Sequence, residues 1–147
     1  MTPRRFLFFA GSHTIEVMRY LGIDYGARRI GVAVSNPEGS IALPRTTINA
    51  GSEADAVRGV KKIIREEKIK MVVIGLPSAA DGTDTEQTRI TRMFIKKLAT
   101  ETTIPIKTED ELLTSRMARA SGAEGGHIDA ASAALILQSF LDRMNAK

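Results

Sequence analysis

The stretch Tyr20–Asn36, YLGIDYGARRIGVAVSN, decides how this chain is built. It consists of two apolar runs around a turn. Arg19–Tyr25 (RYLGIDY) reads as a buried strand and Arg28–Asn36 (RRIGVAVSN) as its return, with Gly26-Ala27 a turn of hairpin length. A lone carboxylate, Asp24, stands where the first strand ends.

Working outward, Asn36-Pro37-Glu38-Gly39 is a second turn, and Ser40–Ile48 is a third strand that Pro44 marks as an edge. The period then changes from two to 3.6. Ser52 is a helix N-cap with Glu53 and Asp55 in the first turn, and Ala56, Val60, Ile63 and Ile64 share one face of a helix ending near Lys68. Lys70–Gly75 is a buried strand, Thr85–Thr100 a second helix and Ile104–Glu109 a fifth strand. A short helix over Leu112–Ala120, a flexible SGAEGGH connection and a closing helix over Ile128–Met144 complete the chain. The order is βββαβαβαα. Short turns make the first three strands an antiparallel meander, and helical crossovers make the later ones parallel. The expected fold class is therefore α/β: a mixed sheet flanked by helices.

The bulk numbers bound the function. With 147 residues, the chain fits a single domain able to bury a core without staples. It has no cysteine, which excludes disulfides, thiolate metal sites and a cysteine nucleophile, and which fits a cytoplasmic location. Tryptophan is absent and aromatics are 5%, so a base-stacking surface is not expected. A net charge of +4 mildly favours a polyanionic partner. Arg4 and Arg5 before FLFFA faintly imitate a signal peptide, but the apolar run is too short. Residues 1–17 are read as a poorly ordered N-terminal extension, and residues 18–147 as the domain. No run approaches a membrane span, so no membrane partner is expected.

Four acids attract attention. Asp24 ends strand one, Asp110 and Glu111 follow strand five, and Asp129 begins the last helix. Open α/β sheets bind ligands at the carboxyl ends of their strands. If strands one, four and five are neighbours, Asp24 and Glu111 meet there and Asp129 reaches the same spot. Carboxylates crowded together repel unless a cation neutralises them. Oxygen donors without histidine or cysteine suit Mg²⁺ or Mn²⁺. Each acid also has a plain structural reading. Asp24 before a glycine turn could be a turn former, and Glu111 and Asp129 could serve as first-turn helix acids. Strand alternation sends Arg28 and Arg29 to opposite faces, and Arg29 is favoured as the one facing the site.

Four stretches in order, LGIDYGARRIGVAVSNPEG, VVIGLPSAADG, DELLTS and IDAASAALILQSFLD, closely resemble the YqgF family of Holliday junction resolvases (RuvX) and ribosomal RNA precursor nucleases. The resemblance runs from Met18 to about Arg143. It implies an RNase H-like fold, matching the strand order above, and a metal-dependent nuclease. The family's acidic positions fall on Asp24, Glu111 and Asp129, as metal ligands and catalytic residues. Its basic pair falls on Arg28 and Arg29, and its hydroxyl pair on Thr114 and Ser115; these, with the turn residue Gly26, are the expected substrate-binding residues. The expected partner is structured RNA or branched DNA, with a homodimer fitting a resolvase. Three features depart from the family: Leu112 replaces an arginine, Ala79 an asparagine, and the loop before the last helix lacks basic residues.

Two other functions remain open at this point. The chain could be a catalytically silent nucleic-acid-binding domain, in keeping with those departures. GIDYGARRIGVAV also resembles the first phosphate loop of actin-like and sugar-kinase ATPases, although those enzymes need two lobes. The basic face of the second helix, Arg89, Arg92, Lys96 and Lys97, reads as a solvated surface or as a backbone-tracking one.

Overall fold

The computed structural model describes residues 6–10, 13–26, 28–77, 81–110 and 126–146. Ten elements follow one another: β1 (Phe6–Ala10), β2 (His13–Val17), β3 (Arg19–Tyr25), β4 (Arg29–Ser35), β5 (Ala42–Asn49), α1 (Glu53–Glu66), β6 (Ile69–Leu76), α2 (Glu86–Glu101), β7 (Ile106–Asp110) and α3 (Gly126–Asn145). β1 and β2 form an antiparallel ribbon of their own. The other five strands make one mixed sheet in the order β5-β4-β3-β6-β7. β3, β4 and β5 are the antiparallel meander, and β6 and β7 join β3 in parallel. The expected adjacency of strands one, four and five is thus the observed β3-β6-β7. Pro44 lies in β5, the edge strand, where a missing N–H costs no ladder bond.

Local chemistry explains the element ends. Ser52 caps α1, its hydroxyl accepting from the Asp55 N–H at 3.1 Å. Thr85 and Thr88 form a reciprocal capping box at the start of α2. β7 starts two residues later than the sequence pattern predicts. Pro105 has no N–H for the ladder, and its carbonyl instead accepts from Val72 N–H at 3.0 Å. The turn after β3 is also longer than expected. Gly26 N–H donates to Arg29 O at 3.1 Å, so Arg28 belongs to the turn and β4 begins at Arg29. The predicted helix over 112–120 lies outside the described residues.

Strand alternation gives the sheet two different faces. On one, Leu21, Ile23, Tyr25, Ile30, Val32, Val72 and Ile74 pack against α1 and α2, which contribute Val57, Val60, Phe94 and Leu98. On the other, Tyr20, Ala33 and Val73 pack against Ala133, Ile136, Leu137 and Leu141 of α3. Glycines let α3 come close: a Cβ at Gly22 would lie 2.7 Å from Leu137 Cβ, and one at Gly31 would lie 1.9 Å from Asp129 O. No helix among the described residues is long and apolar enough to cross a membrane.

Candidate active site

The close approach at Gly31 builds the site. Asp24 is the register partner of Gly31 across the β3–β4 ladder. Directly opposed residues in an antiparallel pair project to the same face. Asp24 therefore shares the α3 face with Gly31, and the backbone of Asp129 sits on that glycine. The first turn of α3 thus delivers Asp129 to the strand end that carries Asp24. The alternation that sends Leu21 and Ile23 into the apolar core sends Asp24 the other way, where it is half-buried.

Arg29 lies on this same face, two residues before Gly31. Its Nε is 3.2 Å from Asp129 Oδ2. The contact is electrostatic rather than a well-aligned hydrogen bond, and Oδ2 is buried without any hydrogen-bond donor among the described residues. Arg28 is exposed in the turn, where its carbonyl accepts from Ala50 N–H at 3.0 Å. Gly26 is demanded by the turn itself, since a Cβ there would lie 2.6 Å from Arg29 O. Glu111, Thr114 and Ser115 lie outside the described residues, although β7 ends one residue before Glu111, at Asp110.

The sequence pattern points to Asp110 and Glu111 and passes over Glu109. Glu109 is the register partner of Gly75, which directly follows the Ile74 paired with Ile23. It therefore stands on the α3 face at the level of Asp24, two strands away. It is 5% exposed, its Oε1 lies 2.7 Å from Arg143 Nη2, and its Oε2 accepts no hydrogen bond among the described residues. In the run IKTED, the Lys107/Glu109 side reads as the solvated face. Only the return of α3 across the sheet covers it.

On the opposite face, Tyr25 stacks on Phe94 with ring centroids 4.1 Å apart. Burial first, and the charge of Glu53 second, push its phenol above the ordinary value.

Does this donor set fit a divalent cation? Asp24 and Asp129 supply hard oxygens on one face, and the buried Oδ2 of Asp129 lacks a donor. That is the chemistry Mg²⁺ or Mn²⁺ takes. Among the described residues no group of three acidic, histidine or cysteine side chains is placed to hold a metal. The expected third carboxylate, Glu111, lies outside the described residues.

A mixed five-stranded sheet, with carboxylates gathered at the carboxyl end of its central strand beneath a closing helix, is the RNase H-like class. Its structural likenesses include Thermus thermophilus RuvC bound to a Holliday junction (TM-score 0.60, 16% identity, 87% of this chain and 96% of that one). The yeast mitochondrial Holliday junction resolvase is similar too (TM-score 0.54, 12% identity, 85% and 78% coverage). Residues 18–143 match the family model described as RuvX, Holliday junction resolvase, and the chain belongs to that family. It is 41% identical over 133 residues to the "Putative pre-16S rRNA nuclease" of Nitratidesulfovibrio vulgaris, covering 85% of this chain and 94% of that protein. Its identity to the Rickettsia canadensis protein of the same name is 38% over 130 residues, covering 83% and 84%.

Proposed function

We propose that this chain is a cytoplasmic, metal-dependent nuclease that hydrolyses phosphodiester bonds in structured nucleic acid. Ribosomal RNA precursor is the first substrate to test and a four-way DNA junction the second. The observation that carries the reading is the seating of Asp129 on Gly31, which gathers Asp24, Asp129 and Arg29 at one strand end. The order of substrates follows the names of the relatives above 35% identity, whereas the RuvC likeness at 16% speaks to fold.

In this mechanism Asp24, Glu111 and Asp129 hold Mg²⁺ or Mn²⁺ through carboxylate oxygens. When bound, the ion neutralises the carboxylates, polarises the phosphodiester and lowers the pKa of an attacking water. The chain's own residues do the rest. α3 fixes Asp129 against the sheet, so the ligands keep their spacing without reorganising. Arg29 offsets the charge of Asp129 and offers a guanidinium to a phosphate oxygen. Arg28, exposed on the adjoining turn, adds a second phosphate contact. Gly26 keeps that turn tight, and Thr114 and Ser115 are assigned hydroxyl contacts to the substrate. If the substrate is a junction, a two-fold dimer would present two such sites to its symmetric strands.

The test is cleavage of a labelled precursor fragment and a labelled four-way junction with Mg²⁺ or Mn²⁺, comparing wild type with Asp24→Asn. The variant should fold as stably as wild type or better in the absence of metal, because one source of repulsion is gone. Its cleavage should fall on the order of a thousandfold, about 4 kcal/mol of barrier. Undiminished cleavage by Asp24→Asn would place the chemistry elsewhere. Binding without cleavage by the wild type, with or without metal, would instead mark a silent binding domain.

A further inference from the structure

A hollow of the described surface lies away from the carboxylates. It is a groove of about 750 Å³ along the outward side of α1, between the end of β5 and the C-terminal part of α2. Its floor includes Ile48, Ala54 and Gly59, and its walls carry Arg58, Lys61, Lys62, Arg65 and Lys97 against only two acids, Asp55 and Glu101. Those acids are already engaged. Glu101 lies 3.2 Å from Lys61 and 3.9 Å from Lys97, and Asp55 lies 2.7 Å from Arg58. Lys62 and Arg65 have no acidic partner among the described residues, and both line the groove.

The groove connects to the site through the sheet. Asn49, at its upper end, is the register partner of Arg29, the residue that reaches Asp129. Ala50 N–H donates to Arg28 O at 3.0 Å, tying the arginine turn to the start of α1. α1 then runs away from that rim, and Arg58, Lys62 and Arg65 follow at helical spacing over about 10 Å. The reacting end and the groove thus lie on opposite faces of the sheet and meet at its β4–β5 edge, where the arginine turn is tied to the start of α1.

α2 offers a contrast. Its Arg89 and Arg92 are paired with Glu86 and Asp84 and its Lys97 lines the groove, which leaves Lys96 as the one cation of that face with no acidic partner among the described residues. The groove lining, drawn from both helices, carries five cations against two acids.

We infer that the α1 groove holds the phosphate backbone of the substrate strand beyond the scissile position, with Lys62 and Arg65 as its principal contacts and Arg58 as a third. This inference rests on the nuclease reading, because the tie between the Arg28 turn and the start of α1 identifies the polyanion as the same nucleic acid. An exposed pair such as Arg58–Asp55 is weak, so Arg58 can exchange its acid for a phosphate.

The experiment measures binding of the precursor fragment and the four-way junction by fluorescence anisotropy across a salt series, with Ca²⁺ replacing Mg²⁺. Three proteins are compared: wild type, the groove variant Arg58→Gln/Lys62→Gln/Arg65→Gln, and the α2 variant Arg89→Gln/Arg92→Gln/Lys96→Gln. All six positions are exposed, so both variants should fold, and both lose the same charge. The groove variant should bind at least about tenfold more weakly at low salt, with a slope of log K against log salt shallower by about three. The α2 variant should keep the wild-type slope. In cleavage assays the groove variant should raise KM and keep kcat. An unchanged slope in the groove variant, or equal losses in both variants, would overturn the groove assignment and leave the nuclease reading standing. Failure of the wild type to bind either nucleic acid would overturn the nuclease reading, and the groove assignment with it.

Discussion

β3 carries two faces of one sheet in alternation: Leu21, Ile23 and Tyr25 toward α1 and α2, and Tyr20, Gly22 and Asp24 toward α3. On the first face nearly every position is a large aliphatic or aromatic group, and Ile23, Ile30, Val32, Val72, Ile74 and Phe94 are fully buried. On the second, Gly22, Gly31 and Ala33 stand where α3 comes closest, beside the larger Tyr20 and Val73. Each aliphatic side chain omitted there forgoes about 1.5–3 kcal/mol of burial. What the second face gains is proximity. The helix backbone comes within contact of the strands, and its first turn can set a carboxylate beside Asp24. One face of the sheet is spent on stability and the other on position.

The largest expected effect on that division comes from the apolar face. Phe94→Ala removes a fully buried ring that stacks on Tyr25, and should cost about 3–5 kcal/mol of unfolding free energy. If the two faces have separate tasks, the fraction that remains folded should cleave with wild-type kcat. A large fall in kcat under conditions where the variant is fully folded would show that the faces are coupled.

Next in size is Gly31→Ala, on the other face. The added methyl has nowhere to go, because the atom it meets at 1.9 Å is the carbonyl oxygen of Asp129 rather than a flexible side chain. Overpacking of this kind costs about 1–3 kcal/mol in stability. Its effect on cleavage should exceed its effect on stability, the reverse of Phe94→Ala, because α3 must lift at the very turn that carries Asp129. Chemical denaturation and single-turnover cleavage of both variants test the crossing. If Gly31→Ala loses stability but cleaves normally, the close packing of α3 does not position Asp129.

Much of this arrangement is legible in the sequence, for identifiable reasons. The short turn around Gly26 makes a meander, and the helices after Ser52 and Thr85 force parallel crossovers; together these make β3, β6 and β7 neighbours. Pro44 finds its edge, and Arg29, the favoured one of the two arginines, meets Asp129. What escapes the sequence depends on contacts far apart in the chain. Glu109 reads as a solvated strand residue until α3 crosses β7 and sets Arg143 beside it. The glycines of β3 and β4 read as ordinary strand interruptions until the helix rests on them. The basic groove needs α1, β5 and α2 together. The pairing of Phe6–Ala10 with His13–Val17 stands where the sequence reads a poorly ordered extension.

The smallest expected effect is a pH signature that separates the faces chemically. Tyr25 belongs to the apolar face, one residue from Asp24, and its phenol is pushed above the ordinary value by burial and then by Glu53. An acid whose folded pKa is raised is stabilised in its neutral form by folding. Its contribution is complete below the unfolded value, near 10, and is lost as pH rises through the folded one. Tyr25→Phe keeps the ring on Phe94 and removes only the titrating hydroxyl. Unfolding free energies measured for both proteins should therefore differ by a constant amount at neutral pH. Above about pH 10 the wild type should lose stability faster than the variant. Lysines and the other tyrosine titrate in both proteins and drop out of the comparison. Parallel curves throughout would mean that the phenol ionises as freely in the folded chain as in the unfolded one. The apolar face would then be wetter at the end of β3 than its packing implies, and the chemical boundary between the two faces would fall short of Tyr25.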